Sequence, residues 1–396
     1  MLTVIKNAEL YAPEYIGNKT IVIANDKIEG IYEKIDIPRN FLDIEVIDGE
    51  NMIAVPGFID CHVHVMGGGG EGGFKTRTPE IYFSEFVKAG ITTVVGCIGT
   101  DGVCRNMQSL IAKCYALEEE GITTYCYTGS YEIPVKTVTG SIKSDIMLLH
   151  KVIGAGEICL SDNRSSQPSY EEFLKVVADS RVGGLLAGKA GIVNVHLGNE
   201  GNMMDYLFSI IDNTGIPSAQ LLPTHINRNQ GLFNTGIKYA KRGGYVDLTT
   251  ASDPDYLEDG EVKASEGLKV MLKEGVSEDR ITFSSDGNGS MPRFNEKKEI
   301  VGLGVCSLTS LYREFKDCVI KEGVPFEKAL KVITSNVSDI LKLGNKGRLA
   351  EGKDADILIL EKGTLNISTI FAKGRKLKEN GEILVKGTYE GEGEQC

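Results

Sequence analysis

Four of the five histidines in this chain occupy positions suited to holding metal ions. His62 and His64 form a His-Val-His pair, and His196 and His225 each stand alone at the end of a β-like run. Imidazole is the commonest protein metal ligand. Two residues separated by one on a strand point the same way, because side chains alternate with period two. Asp286, in SSDGNGS, and Glu157, in EICLSD, add carboxylates in comparable places. Such a set could hold two divalent cations about 3.5–4 Å apart and ionise water between them. Repulsion between those cations is roughly 20 kcal/mol even at an effective dielectric of 20, so a bridging anion is needed as well as neutral imidazoles. Glu157 could offer one oxygen to each metal, although taken alone it reads more simply as a solvated acid at the start of a strand. With Glu157, Asp286 and a bridging hydroxide, most of the charge is cancelled and enough remains to polarise a carbonyl. Alternation puts Asp60 on the histidine side and Cys61 on the other, as packing. His150, in the helix-like SDIMLLHKVIG, reads as structural.

The elements that must position these groups have two rhythms. Residues 1 to about 54 read as short strands with turns (LTVIKNAEL, KTIVIANDKIEGIYE, IEVIDGENMIAV), and the end of the chain has the same character (DADILILE, ISTIFAKGRKLKENG, EILVKGTYE). Asn-Asp and Asp-Gly between β-branched runs favour antiparallel pairing. Neither end alone makes a comfortable core, so the expectation is one small β-sandwich domain built from 1–54 plus 345–396. Between them, short apolar runs alternate with helical patterns: PGFID, ITTVVGCIG, ITTYCYTGSY, EICLSD, GIVNVHLG, QLLPTHI, GYVDLTT and RITFSSDG. In the stretch from Asn106 to Glu120, Leu110, Cys114 and Leu117 recur at helical spacing and Gly121 follows as a stop. Eight such strands, buried on both faces, predict an α/β fold with a parallel (β/α)8 TIM-like barrel over 55–344. An open doubly wound sheet is the alternative, but its glycine-rich dinucleotide fingerprint follows none of the strands. Barrel active sites lie where strands end, and that is where every candidate ligand falls. A lone histidine is usually a hydrogen-bonded structural residue; four at the strand ends of one barrel reverse that expectation.

Composition narrows the class. The chain has 396 residues, 25% charged and 41% hydrophobic, and its 43 basic and 55 acidic residues give a net charge of −12. That balance argues against a nucleic-acid or anionic-membrane surface. Nine cysteines without CxxC pairs read as free thiols in a reducing cytoplasm. MLTVIKNAEL is no secretory signal, and no apolar run approaches the roughly 18 residues of a membrane span.

The motifs PGFIDCHVH, NVHLG, LLPTHINRN, SSDGNGS and GRLAEGKDADILIL together resemble the amidohydrolase superfamily. Within it, GGGGE after the His-Val-His pair, GTD, TGSYEIP, SDNRS, ADSRVGGLLAGK and THINRN look like the isoaspartyl dipeptidases, over nearly the whole chain. The resemblance implies a cytoplasmic homo-oligomer with two divalent metal ions, zinc, held by His62, His64, Glu157, His196, His225 and Asp286. Most members of that family carry, at the position of Glu157, a lysine converted by CO₂ into a bridging carbamate. A glutamate there implies an unmodified carboxylate in the same role; the rival is a carboxylated lysine elsewhere, Lys151 or Lys189.

The implied substrate, an isoaspartyl dipeptide, presents an α-ammonium and two carboxylates around a β-amide. The resemblance assigns Glu71 to the ammonium and Arg164 and Arg228 to the carboxylates, with Ser290, Thr100 and the Gly69 backbone as further contacts. By sequence alone these are ordinary surface charges and loop residues. Tyr131 is implied as a phenolic donor to the scissile carbonyl, a contribution typically worth about 10²–10³ in turnover. The expected reaction has a metal-bridging hydroxide as nucleophile and Asp286 as proton shuttle. The rivals are another amidohydrolase, such as a cyclic amidase or an N-acyl amino-acid deacylase, and a catalytically dead assembly protein that kept the barrel.

Overall fold

Eight parallel strands form the centre of the computed structural model, which describes residues 2–38, 43–201, 204–251, 260–295, 297 and 299–391. They are β1 (Phe58–Val63), β2 (Ile91–Gly96), β3 (Thr123–Thr128), β4 (Val152–Leu160), β5 (Ile192–Leu197), β6 (Leu221–Thr224), β7 (Val246–Thr249) and β8 (Ile281–Ser284). β1 to β6 pair in sequence order, β7 pairs with β8, and the ring closes where the backbone N–H of His64 donates to the Gly287 carbonyl at 2.9 Å. Each strand is buried on both faces, as a sheet wrapped by helices requires. Inside, Ile59, Cys61, Val95, Cys97, Tyr127, Ile153 and Leu222 pack with Val337, Ile340 and Leu341. The barrel interior is therefore filled with side chains, and the open space lies at the mouth.

The helical periodicity is realised in Met107–Glu120, which buries Leu110, Cys114 and Leu117. Asn106 caps it by accepting from the Ser109 N–H, and Gly121 ends it at φ 137°. β4 is longer than the run EICLSD suggests: it starts at Val152, so Glu157 lies inside the strand and fully buried rather than at a solvated start.

Both ends of the chain enter one nine-stranded sheet. Antiparallel pairing holds for Leu2–Tyr11 with Tyr15–Ala24, and for Met52–Pro56 with Ile357–Glu361. It does not hold for Ile44–Asp48 and Met52–Pro56 against the first strand, which are parallel to it. The Asp48-Gly49 turn explains the difference. Its Gly49 N–H donates to the Lys6 carbonyl at 2.8 Å, and the chain continues along the same neighbour instead of reversing. Residues 1, 39–42 and 392–396 of the expected terminal unit lie outside the described residues.

Alternation gives this sheet two apolar faces. Ala54, Ile357 and Ile359 join the sheet's own core with Ile5, Ile21 and Phe371, whereas Ile53, Val55, Leu358 and Leu360 join the barrel's outer core. One buried cation fastens the junction. Lys346 Nζ lies 2.6 Å from Asp356, 2.8 Å from Asp354 and 2.6 Å from the Thr123 hydroxyl at the foot of β3. The two carboxylates keep its ammonium charged against the effect of burial. Replacing Lys346 with Met leaves Asp356 without its cation while Asp354 keeps Lys27, and breaking a buried pair from one side typically costs about 3–5 kcal/mol. We expect a lower midpoint in chemical denaturation by an amount in that range.

Candidate metal centre and active site

The mouth of the barrel gathers the histidines because the strands end there and turn sharply. His62 is within β1 and His64 just past it; His196 is near the end of β5. His225 and Asp286 follow β6 and β8 in the left-handed backbone region, at φ 61° and 52°. Non-glycine residues are uncommon there, and such strain clusters where a side chain must be aimed.

Glu157 sits at the centre of the four imidazoles. Its Oε2 is 3.3 Å from His62 Nε2, 3.1 Å from His196 Nδ1 and 3.9 Å from His225 Nε2, and its Oε1 is 3.3 Å from His64 Nε2. Asp286 Oδ1 approaches His64 Nε2 at 3.0 Å and His62 Nε2 at 3.6 Å. Burial opposes ionisation of Glu157, but His62, His196 and His225 hold its carboxyl well below the usual range. Burial likewise opposes charge on His62 and His64, yet Cys97 and the neighbouring carboxylates raise both well above an ordinary histidine. This is a place built to stabilise positive charge. His225 differs: burial, then the charge of Arg228, pushes it down to about 3, so it presents the neutral imidazole that binds metals.

The donor set fits divalent cations on independent grounds. His62 Nδ1 and Nε2, Glu157 Oε1, His225 Nε2 and Asp286 Oδ1 have no hydrogen-bond partner among the described residues, whereas buried polar atoms are nearly always satisfied. Two groups of potential ligand atoms, each within 4.8 Å of one another, share Glu157: His62, His64 and Cys97 with it on one side, His196 and His225 on the other. Glycine keeps the space open. A Cβ on Gly99 would lie 2.9 Å from His64 Cε1, and one on Gly289 would lie 2.6 Å from Asp286 Oδ1.

Above the cluster is a cavity of about 500 Å³ lined by Gly69, Glu71, Thr100, Tyr131, Arg164, Arg228 and Ser290, so every substrate contact expected from sequence reaches it. Glu71 accepts from Thr100 Oγ1 at 3.0 Å and Ser290 Oγ at 3.1 Å, and lies 3.3 Å from Arg164. Tyr131 OH is 2.9 Å from His196 Nδ1, and burial next to Glu157 raises its phenol well above the ordinary range. The alternative lysines are elsewhere. Lys151 bonds to Thr124 at the foot of β3, and Lys189 donates to the carbonyls of Ile146, Leu149 and Val152. His150 is exposed beyond the helix Ile142–Leu148, and Cys61 is fully buried with its sulfur 3.7 Å from Asp247. Asp60 accepts from the N–H groups of His62 and Ser285, and burial raises its carboxyl to about 7.

Three residues escape the sequence reading. Asp162 takes both Nε and Nη2 of Arg164 (2.9 and 2.8 Å), Nε2 of His196 (3.1 Å) and Arg228 (3.5 Å), which ties the cationic side of the cavity to the metal cluster. Burial opposes its charge, but Arg164 and His196 hold it ionised. Its neighbourhood in SDNRS is the only sequence cue. Arg105, buried, donates to the carbonyls of Met66, Gly68, Gly69 and Thr78 and thereby fixes the glycine loop that ends at Glu71. Within that loop, a Cβ on Gly67 (φ 83°) would meet the Thr78 carbonyl at 2.2 Å. Nothing in the sequence marks Arg105. Cys97, the third, stands beside His64 with its sulfur 3.8 Å from Nδ1.

Comparison with known proteins identifies relatives of the whole chain. A structure of the β-aspartyl dipeptidase of Fervidobacterium islandicum AW-1 in complex with β-Asp-Leu dipeptide is 44% identical, covers 97% of each chain and superposes with a TM-score of 0.92. A dihydroorotase from Elusimicrobium minutum is 24% identical over 94% of this chain and 90% of its own length. A D-hydantoinase structure, 16% identical with a TM-score of 0.68, shares the fold. The sequence profile of the amidohydrolase family matches residues 53–384. With that match over most of its length, and with histidines and acids converging at the mouth of a parallel barrel, this chain belongs to the amidohydrolase family.

Proposed function

We propose that the chain hydrolyses the β-linked amide of isoaspartyl dipeptides with two zinc ions held by His62, His64, Glu157, His196, His225 and Asp286. One observation carries the reading: a single cavity joins the imidazole–carboxylate cluster to the Glu71 carboxylate and to two guanidiniums, Arg164 and Arg228. An isoaspartyl dipeptide offers one ammonium and two carboxylates, the complementary pattern. The β-Asp-Leu dipeptide bound by the 44%-identical relative has that pattern and supports the same assignment. A cyclic amide such as dihydroorotate has one carboxylate and no ammonium, and would leave Glu71 without a counterpart. The free thiols of the eight described cysteines fit a reducing cytoplasm, and no described helix is long and apolar enough to cross a membrane.

Divalent cations in such a centre lower the pKa of water towards neutrality and polarise a carbonyl oxygen. The chain's own groups do the rest. Against the effect of burial, His64 and His62 hold Asp286 below the usual carboxylate range, which keeps it ionised; as the carboxylate it is the group placed to accept the proton of the attacking water. It then delivers that proton to the departing amine, without which the tetrahedral intermediate reverts. Tyr131, kept protonated by burial, donates to the carbonyl oxygen as that oxygen gains charge. Arg164 is shared between Glu71 and Asp162 in the free protein. Substrate therefore exchanges the Glu71–Arg164 contact for two new ones, ammonium to Glu71 and carboxylate to Arg164. Arg228 takes the remaining carboxylate, and the bidentate forks fix its direction.

The decisive assay compares β-aspartyl-leucine, α-aspartyl-leucine and dihydroorotate, with and without added Zn²⁺. We expect turnover of the first alone, lost on chelation and restored by the metal; turnover of dihydroorotate alone overturns the reading. Asp286→Asn should keep most of its metal and lose nearly all turnover, and wild-type-like rates would remove Asp286 as the proton carrier. Glu157→Ala should purify with less bound metal by elemental analysis. Two tightly held ions in that variant would place the bridge on another group.

A further inference from the structure

Strand β2 ends beside the cluster, and the residue that follows it is a cysteine. Cys97 is 1% exposed. Its sulfur is 3.8 Å from His64 Nδ1 and 3.6 Å from the Val63 carbonyl. It also lies within 4.8 Å of potential ligand atoms on His62, His64 and Glu157. A second observation points into the same space: both nitrogens of His62 and Oε1 of Glu157 are buried there without hydrogen-bond partners. Unpartnered buried polar atoms on two residues grouped with a thiol describe a coordination site more naturally than a packing contact. Cys61, on the adjacent strand, shows the contrast. It shares the same apolar cluster, but its sulfur faces Asp247 and no histidine.

We infer that Cys97 is a thiolate ligand of the metal held by His62 and His64, which makes this half of the centre a His₂Cys site that shares Glu157 with the other half. The inference rests on the reading of the cluster as a metal centre. A thiolate there adds a further anion beside Glu157 and Asp286, on the side of His62 and His64. On coordination the Cys97 thiol gives its proton to solvent, and the sulfur lone pair forms the bond to the metal. A soft donor also sets preference, favouring Zn²⁺ over Mn²⁺ or Mg²⁺. The competing role is that of a positioning residue, in which the S–H points at His64 Nδ1 and fixes the ring without touching metal.

Two measurements on the full chain separate these roles. After chelation and reloading with Co²⁺, metal content is measured by elemental analysis and the near-ultraviolet spectrum is recorded. A sulfur-to-cobalt charge-transfer band is expected in the wild type, lost in Cys97→Ser and Cys97→Ala, and kept in Cys159→Ala and Cys306→Ala. X-ray absorption at the zinc edge of the wild-type protein needs no variant, and should show a sulfur neighbour at about 2.3 Å, averaging about half a sulfur per zinc with both sites filled. Bound metal with only nitrogen and oxygen neighbours, or a band that survives Cys97→Ala, overturns the inference and leaves the proposed function standing. Failure to bind either cobalt or zinc overturns both.

Discussion

A single buried carboxylate, Glu157, surrounded by four imidazoles is the constraint on which this structure turns. Putting that much polarity into a barrel mouth is unfavourable unless each group neutralises another. The four histidines come from three strands and the loops that follow them, so no local segment can build the arrangement. Closure of the whole ring brings β1, β5 and β6 around β4 at distances of 3.1–3.9 Å from one residue. The filled interior beneath, from Ile59 to Leu222, makes those positions rigid.

The cavity repeats the same physics with opposite sign. Glu71, Arg164, Asp162 and Arg228 form a chain of alternating charges that ends on His196. Each group already has a partner before any ligand arrives. A charged ligand therefore enters a site whose charges are held in place and desolvated in advance, which lowers the cost of ordering them. Arg105 performs the equivalent service for the glycine loop by using its guanidinium on four carbonyls.

Much of this was legible in the residues. The His-Val-His spacing, the apolar runs of the barrel and the helix with Leu110, Cys114 and Leu117 each follow from a period, and periods survive in a linear string. Glu157 was harder, because its meaning depends on burial. A carboxylate in mid-strand is improbable until the imidazoles that neutralise it are known. Asp162 and Arg105 were less legible still, since hydrogen bonds to distant partners leave no local pattern. The parallel pairing of Ile44–Asp48 was missed for a related reason: an Asp-Gly turn favours a hairpin, and a contact from Gly49 to Lys6 overrides it.

The nine-stranded sheet has a consequence for how the polypeptide is made. Met52–Pro56 waits for Ile357–Glu361, and the entire barrel lies between these two partners. Pairings so distant along the chain are entropically late and slow. On the ribosome, the edge of Met52–Pro56 that pairs with Ile357–Glu361 stays unpaired until residue 361 has emerged. Early synthesis thus exposes a strand edge that late synthesis conceals, and a chain truncated before residue 357 would carry that edge permanently unpaired.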